Sequence, residues 1–207
     1  MLRNTKELSM DNTRLTLDYY DKNADAYVKS TQHADMGVSL TKFLSYIPKG
    51  GKILDLGCGS GRDSKTFKDA GFKVVAVDGS KELCKQASEF IGQNVICSTF
   101  QEYIPSEQFD GIWANASLLH LNEKDMKSVI TKLSLYLKIS GCWFIAIKCE
   151  DFEGFRDNRF YKSMTKEKFI AFMKQFKDLQ IDKITITVDK LGRGNSWINA
   201  FVLKKAR

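Results

Sequence analysis

Five short apolar runs divide the first three-quarters of the chain: KILDL (52–56), KVVAVD (73–78), NVICS (94–98), FDGIWAN (109–115) and CWFIAIK (142–148). They lack the polar alternation of a half-exposed strand and read as parallel strands covered on both faces. The segments between them follow helical spacing instead. Leu83, Ala87 and Phe90 mark one helix, and Met126, Val129, Ile130, Leu133 and Leu137 a second. Leu40, Phe43, Leu44 and Ile47 predict a short amphipathic helix before the first strand, and Phe169, Phe172, Met173 and Phe176 another after the fifth. Near the end, KITITV and WINAFVL flank DKLGRGNS, a glycine-containing connection suited to a hairpin. Five strands plus two predict an α/β fold, a doubly wound, seven-stranded, mostly parallel sheet with a C-terminal antiparallel hairpin. Sheets of this kind bind ligands outside the carboxyl ends of their strands.

Composition narrows the class. The 207 residues, 43% hydrophobic and 28% charged, suit one globular domain over 1–207, with no repeat or linker to divide it. No apolar run nears the roughly 18 residues of a membrane span. MLRNTKELSM also lacks an apolar secretory core, so a cytoplasmic protein without membrane partners is expected. The five cysteines include no CxxC pair and predict reduced thiols and no metal site. The net charge of +7 permits nucleic acid, but a solvated lysine-rich surface is favoured, since the longest basic cluster is the KKAR tail.

The candidate chemistry starts at DLGCGSGRDS (55–64), where KILDL ends and a helix should begin. Gly57, Gly59 and Gly61 bare the backbone there, as nucleotide-binding loops do. A dinucleotide fingerprint places its third glycine one residue later, where this chain has Arg62. Asp55, just before the loop, would repel a diphosphate but suits the ammonium of an amino-acid-like ligand, directly or through water. Asp78, at the tip of KVVAVD, can accept both hydroxyls of a ribose. Spacing and charge therefore disfavour NAD while retaining adenosine.

ILDLGCGSGRDS, VVAVDGS, FDGIWANASLLHL, LSLYLKISGCWFIAIK and the terminal hairpin together resemble the class I S-adenosylmethionine-dependent methyltransferases, from roughly Tyr19 onward. The resemblance implies a Rossmann-like core over 37–207 beneath an N-terminal helical cap over 1–36, with S-adenosyl-L-methionine as cofactor and S-adenosyl-L-homocysteine as product. It assigns the methionine portion to Asp55, Gly57, Cys58, Gly59 and Arg62, and the ribose to Asp78 and Gly79. STFQEY aligns with the adenine segment, giving Thr99 and Phe100, where the family often has Asp at the Thr99 position. Ala114 and Asn115 match the end of strand four, beside the reacting methyl, and Tyr20 and Tyr27 fall in the cap. His120, following strand four and titrating near neutrality unless its surroundings shift it, is the candidate general base; otherwise it is a hydrogen-bonded residue at the site's edge. For the substrate, Arg156, Arg159 and Tyr161 after strand five, and Arg193 in LGRGNSW, suit a carboxylate or phosphate, or else form a salt-bridged surface loop. ANASLLHL, FRDNRFY and GRGNSW also resemble small bacterial stand-alone methyltransferases of the tellurite-resistance group.

The leading expectation is methyl transfer by direct displacement to a small-molecule acceptor, since little chain remains for a macromolecule-binding domain. The alternatives are transfer to RNA or protein, which would be salt-sensitive, and cofactor binding without catalysis. No N/D-PP-Y/F signature follows strand four, where NASL stands, which weakens a DNA acceptor.

Overall fold

The computed structural model describes residues 5–34, 37–188 and 194–206, with side chains considered from residue 12 onward. Three helices come first: α1 (Thr5–Lys22), α2 (Ala24–Thr31) and α3 (Gly37–Leu44). Strand and helix then alternate as β1 (Lys52–Leu56), α4 (Arg62–Asp69), β2 (Lys73–Asp78), α5 (Lys81–Ile91), β3 (Ile96–Cys97), β4 (Phe109–Asn115), α6 (Glu123–Ser134) and β5 (Leu137–Lys148). A hairpin of β6 (Phe152–Arg156) and β7 (Arg159–Ser163) follows, then α7 (Lys166–Met173), β8 (Leu179–Val188) and β9 (Ser196–Lys204).

The seven-stranded sheet has the order β3-β2-β1-β4-β5-β9-β8. Pairing among β1 to β5 is parallel, and β9 runs antiparallel to both β5 and β8. The expected sheet is therefore present. The apolar runs at 52–56, 73–78 and 109–115 coincide with β1, β2 and β4. The third run contracts to Ile96–Cys97, an edge strand with exposed side chains. The fifth lengthens backward to Leu137, which pairs with Phe109 of β4 before a register shift that spans 138–141.

The sheet's two faces carry separate clusters. On one, Phe43, Phe67, Trp113, Phe144 and Phe201 pack together, with Trp113 stacked on Phe144 at 3.9 Å between centroids. On the other, Met126, Val129, Ile130 and Leu133 of α6 and Phe169 and Phe172 of α7 meet Leu54, Ile112 and Ile145. With both faces covered, the central strands carry apolar side chains on each, which is why they read as continuous runs.

α3 packs on the sheet face that holds Trp113, whereas α1 and α2 reach the loops at the carboxyl ends of β1 and β2, with Tyr27 against Gly59 and Leu17 against Gly79. Ser80 secures α1 there: its Oγ accepts from the Leu83 N–H at the start of α5 and donates to Asp21 of α1 at 2.5 Å. Ser80→Ala removes the α5 cap and this tie. The expected cost is about 1–2 kcal/mol, or about 2–8 °C in Tm for a chain of this size, read by thermal denaturation.

Candidate active site

The glycine loop owes its shape to its neighbours. Gly57 and Cys58 donate backbone N–H bonds to the Val77 carbonyl, at 2.8 and 3.0 Å, tying the end of β1 to β2. Gly57 has φ +81, and a Cβ there would lie 2.4 Å from that of Ser117. Gly59 has φ +54, and a Cβ would meet the Tyr27 hydroxyl at 3.0 Å. Any side chain at either position would be strained and would fill the cleft.

Two carboxylates flank this loop. Asp78 accepts the Gly59 N–H on Oδ2 and the Ser80 N–H on Oδ1, both at 2.9 Å. Burial raises its pKa despite these bonds. Asp55 accepts from Ser64 Oγ at 2.6 Å. Burial, followed by the nearby charge of Asp63, pushes its pKa up to about 8. Arg62 holds Asp63 through Nε at 2.7 Å and Nη2 at 3.0 Å, and its Nη1 donates to the Thr31 carbonyl at the end of α2. Asp63 also accepts from Trp113 Nε1 at 2.8 Å and Asn115 Nδ2 at 2.9 Å, linking the loop to the end of β4.

A cavity of about 530 Å³ opens over these groups, lined by Tyr20, Tyr27, Asp55, Gly57, Cys58, Arg62, Asn115 and His120, and farther on by Lys148, Arg159, Tyr161, Lys183 and Trp197. A narrower one of about 70 Å³ shares Tyr20, Tyr27, Gly57, Asn115 and His120, and reaches Leu17, Gly59, Asp78, Gly79, Thr99, Phe100 and Gln101. Most residues singled out by sequence thus converge on one cleft. Three do not. Ala114 is fully buried in the core, and its neighbour Ala116, at φ 55, lines both cavities instead. Arg156 is held bidentately by Glu150 at 2.7 and 3.0 Å and does not line the cleft. Arg193 lies outside the described residues.

The surroundings of His120 do shift it. Its Nδ1 lies 2.7 Å from the Phe160 carbonyl and its Nε2 2.8 Å from the Tyr20 hydroxyl. The carbonyl can only accept, so Nδ1 carries the proton and Nε2 accepts from Tyr20. Desolvation pushes the imidazole down to about 4, outweighing the Phe160 hydrogen bond, with the charges of Arg159 and Lys148 acting in the same direction. The ring is neutral at pH 7 rather than titrating there.

Sequence reasoning also passed over Asp63, Ser117, Lys148, Trp197 and Gln101. The last has a buried Oε1 with no hydrogen-bond partner among the described residues, while its Nε2 donates to Thr13. Gln101 is one of the residues lining the narrow cavity, two positions past Thr99.

S-adenosylmethionine fits this donor set. Asp55 would hold an ammonium, Asp78 would accept from ribose hydroxyls, and Leu17, Leu83 and Phe100 would supply apolar surface for adenine.

Comparison with known proteins agrees with this geometry. Residues 53–141 match the methyltransferase domain family. Phosphoethanolamine N-methyltransferase 3 of Arabidopsis thaliana is 24% identical over 145 residues, covering 61% of this chain and only 30% of its own length. An uncharacterized methyltransferase of Geobacillus thermodenitrificans is 26% identical over 151 residues, covering 68% of this chain and 70% of its own. The crystal structure of Burkholderia thailandensis 1,6-didemethyltoxoflavin-N1-methyltransferase, with 1,6-didemethyltoxoflavin and S-adenosylhomocysteine bound, shares the fold. Its TM-score is 0.79 at 18% identity, covering 100% of this chain and 92% of that one. Glycine loop, paired carboxylates, sheet order and domain match coincide: residues 53–141 carry the methyltransferase-domain match, within a chain that has the Rossmann-like methyltransferase fold, and together they support an S-adenosylmethionine-dependent methyltransferase.

Proposed function

We propose that the protein methylates a small-molecule acceptor. The observation that carries this reading is the 530 Å³ cavity, which runs from the cofactor residues Asp55 and Gly57 to the ends of β5, β8 and β9 and is roofed by α1 and α2. An acceptor would have to enter this cleft, whose size suits a small ligand better than a polymer strand.

The cofactor, when bound, supplies an electrophilic methyl on a sulfonium. Asn115 and the Gly57 backbone would form the wall where nucleophile and methyl meet, and would position the two for displacement. An attacking N–H or O–H turns strongly acidic as its new bond to carbon forms. Tyr20 oxygen then takes that proton while the Tyr20 hydrogen passes to His120 Nε2, and the Phe160 carbonyl steadies the resulting imidazolium through Nδ1–H.

Asp55 gives a binding test. Its carboxyl is protonated below about 8 in the free protein, and a ligand ammonium selects the ionised form. Affinity for S-adenosylhomocysteine is therefore expected to rise with pH toward 8, with proton release at pH 7. Calorimetry in buffers of different ionisation enthalpy reads that release, and Asp55→Asn abolishes it.

The function itself is tested by incubating the protein with S-adenosylmethionine and separated low-molecular-mass, RNA and protein fractions. S-adenosylhomocysteine formation in the low-molecular-mass fraction is expected. Methylation confined to a macromolecular fraction would overturn the reading.

A further inference from the structure

Among the described residues, three arginines stand on or beside the site, and two already hold a carboxylate. Arg62 clasps Asp63 and Arg156 clasps Glu150, each through two nitrogens. Arg159 is placed differently. It begins β7, directly after the tight turn at Asp157–Asn158, whose φ angles of 48 and 60 suit a two-residue hairpin connection. The turn brings the guanidinium over Tyr19 at 4.4 Å, near Tyr161 at 5.4 Å and near Tyr20 at 5.9 Å. The nearby carboxylate of Asp157 lies 3.7 Å away on a side chain 80% exposed, too long and too solvated for a strong pair. Arg159 Nε is buried with no hydrogen-bond partner among the described residues. A guanidinium in an aromatic cage keeps part of its stabilisation through the ring faces, but an unmatched buried donor remains costly.

A second cation shares the place. Lys148, the last residue of β5, puts Nζ 4.7 Å over the Tyr161 ring. Tyr161 in turn packs against His120 at 5.0 Å between centroids. Both cations line the cavity that holds Asn115 and His120, and their charges add to the downward pull on the histidine. The cleft is therefore bipolar: Asp55 suits the cofactor's ammonium, while Arg159 and Lys148 suit a negative group that the cofactor does not place there. A guanidinium fork and an ammonium match the oxygens of a carboxylate or phosphate.

We propose that the methyl acceptor carries an oxyanion, a carboxylate or a phosphate, seated by Arg159 and Lys148, with its nucleophile turned toward Tyr20 and Asn115. This rests on the small-molecule methyltransferase reading above and adds the substrate's charge to it.

The test uses the whole protein saturated with S-adenosylhomocysteine, titrated with inorganic phosphate or with acetate and followed by tryptophan fluorescence. Trp197 lines the cavity, whereas Trp113 and Trp143 are fully buried. Saturable binding is expected, weakened about tenfold or more in Arg159→Gln and in Lys148→Met, with an intermediate loss in Arg159→Lys, which keeps the charge but not the fork. Phosphate binding more tightly than acetate identifies a phosphorylated acceptor, and the reverse order a carboxylate. If wild-type protein binds S-adenosylhomocysteine but neither anion, or if both charge-removing variants bind anions as wild type does, the oxyanion seat is wrong and the methyltransferase reading stands. Failure of S-adenosylhomocysteine itself to bind would overturn both.

Discussion

Asp78→Ala is expected to weaken S-adenosylhomocysteine binding by about 10²- to 10³-fold. Two ribose hydroxyls donating to one buried carboxylate are charge-assisted bonds, each contributing about 1.5–3 kcal/mol, and about 1.4 kcal/mol is tenfold in affinity. The same carboxylate accepts from Gly59 and Ser80, so the substitution also orphans two buried N–H groups that shape the loop. Some thermal stability is lost with them. Asp78→Asn separates the two effects: it keeps an acceptor oxygen and the side chain's shape, and its affinity should fall by roughly tenfold. Equal affinities for Asp78→Ala and wild type in calorimetry would remove Asp78 from the ribose site.

Tyr20→Phe and His120→Asn should each lower kcat by about 10²- to 10⁴-fold, the usual contribution of a positioned acid–base group. Tyr20→Phe is the cleaner variant. The ring still packs edge-on against Tyr27 at 5.2 Å and His120 at 5.4 Å, and only the hydroxyl that bridges acceptor and imidazole is lost. The loss should fall on kcat, with KM for the cofactor little changed. Because the imidazole is pushed down to about 4, wild-type kcat should stay level below neutrality and fall only as pH approaches 4. A break near the ordinary histidine value of 6.5 would contradict the hydrogen-bonded pair seen here. Rates within about twofold of wild type in both variants would make the pair structural, like other buried hydrogen bonds.

The central strands were legible because parallel strands buried on both faces leave a plain apolar record, and β1, β2 and β4 lie where the runs place them. β3 was harder to read: only two residues pair, at an exposed edge, so burial did not sharpen its ends. The hairpin of β6 and β7 went unseen as secondary structure because FEGFR and RFYKS mix charge and aromatics on short strands. Asp157–Asn158 was the available clue, two residues that tolerate positive φ in a tight hairpin turn.

The site divides in the same way. Asp55, Gly57, Gly59 and Asp78 sit at fixed offsets from strand ends, so motif spacing locates them. Gln101, Lys148 and Trp197 reach the cleft through tertiary packing, which leaves no local spacing to read. Arg156 and Arg159 are three residues apart across one turn, but only the second enters the cavity: Glu150 captures the first, while Tyr19 and Tyr161 hold the second. His120 lies close in sequence to strand four, yet its tautomer is set by the carbonyl of Phe160, forty residues away.

The most direct test of the account is a calorimetric titration of the folded protein with S-adenosylhomocysteine and NAD side by side. The account predicts saturable binding of S-adenosylhomocysteine and none of NAD, because the Asp55 and Asp78 carboxylates bracket a loop with room for an amino-acid moiety and a ribose. Binding of NAD in its place, or of neither ligand, would contradict it.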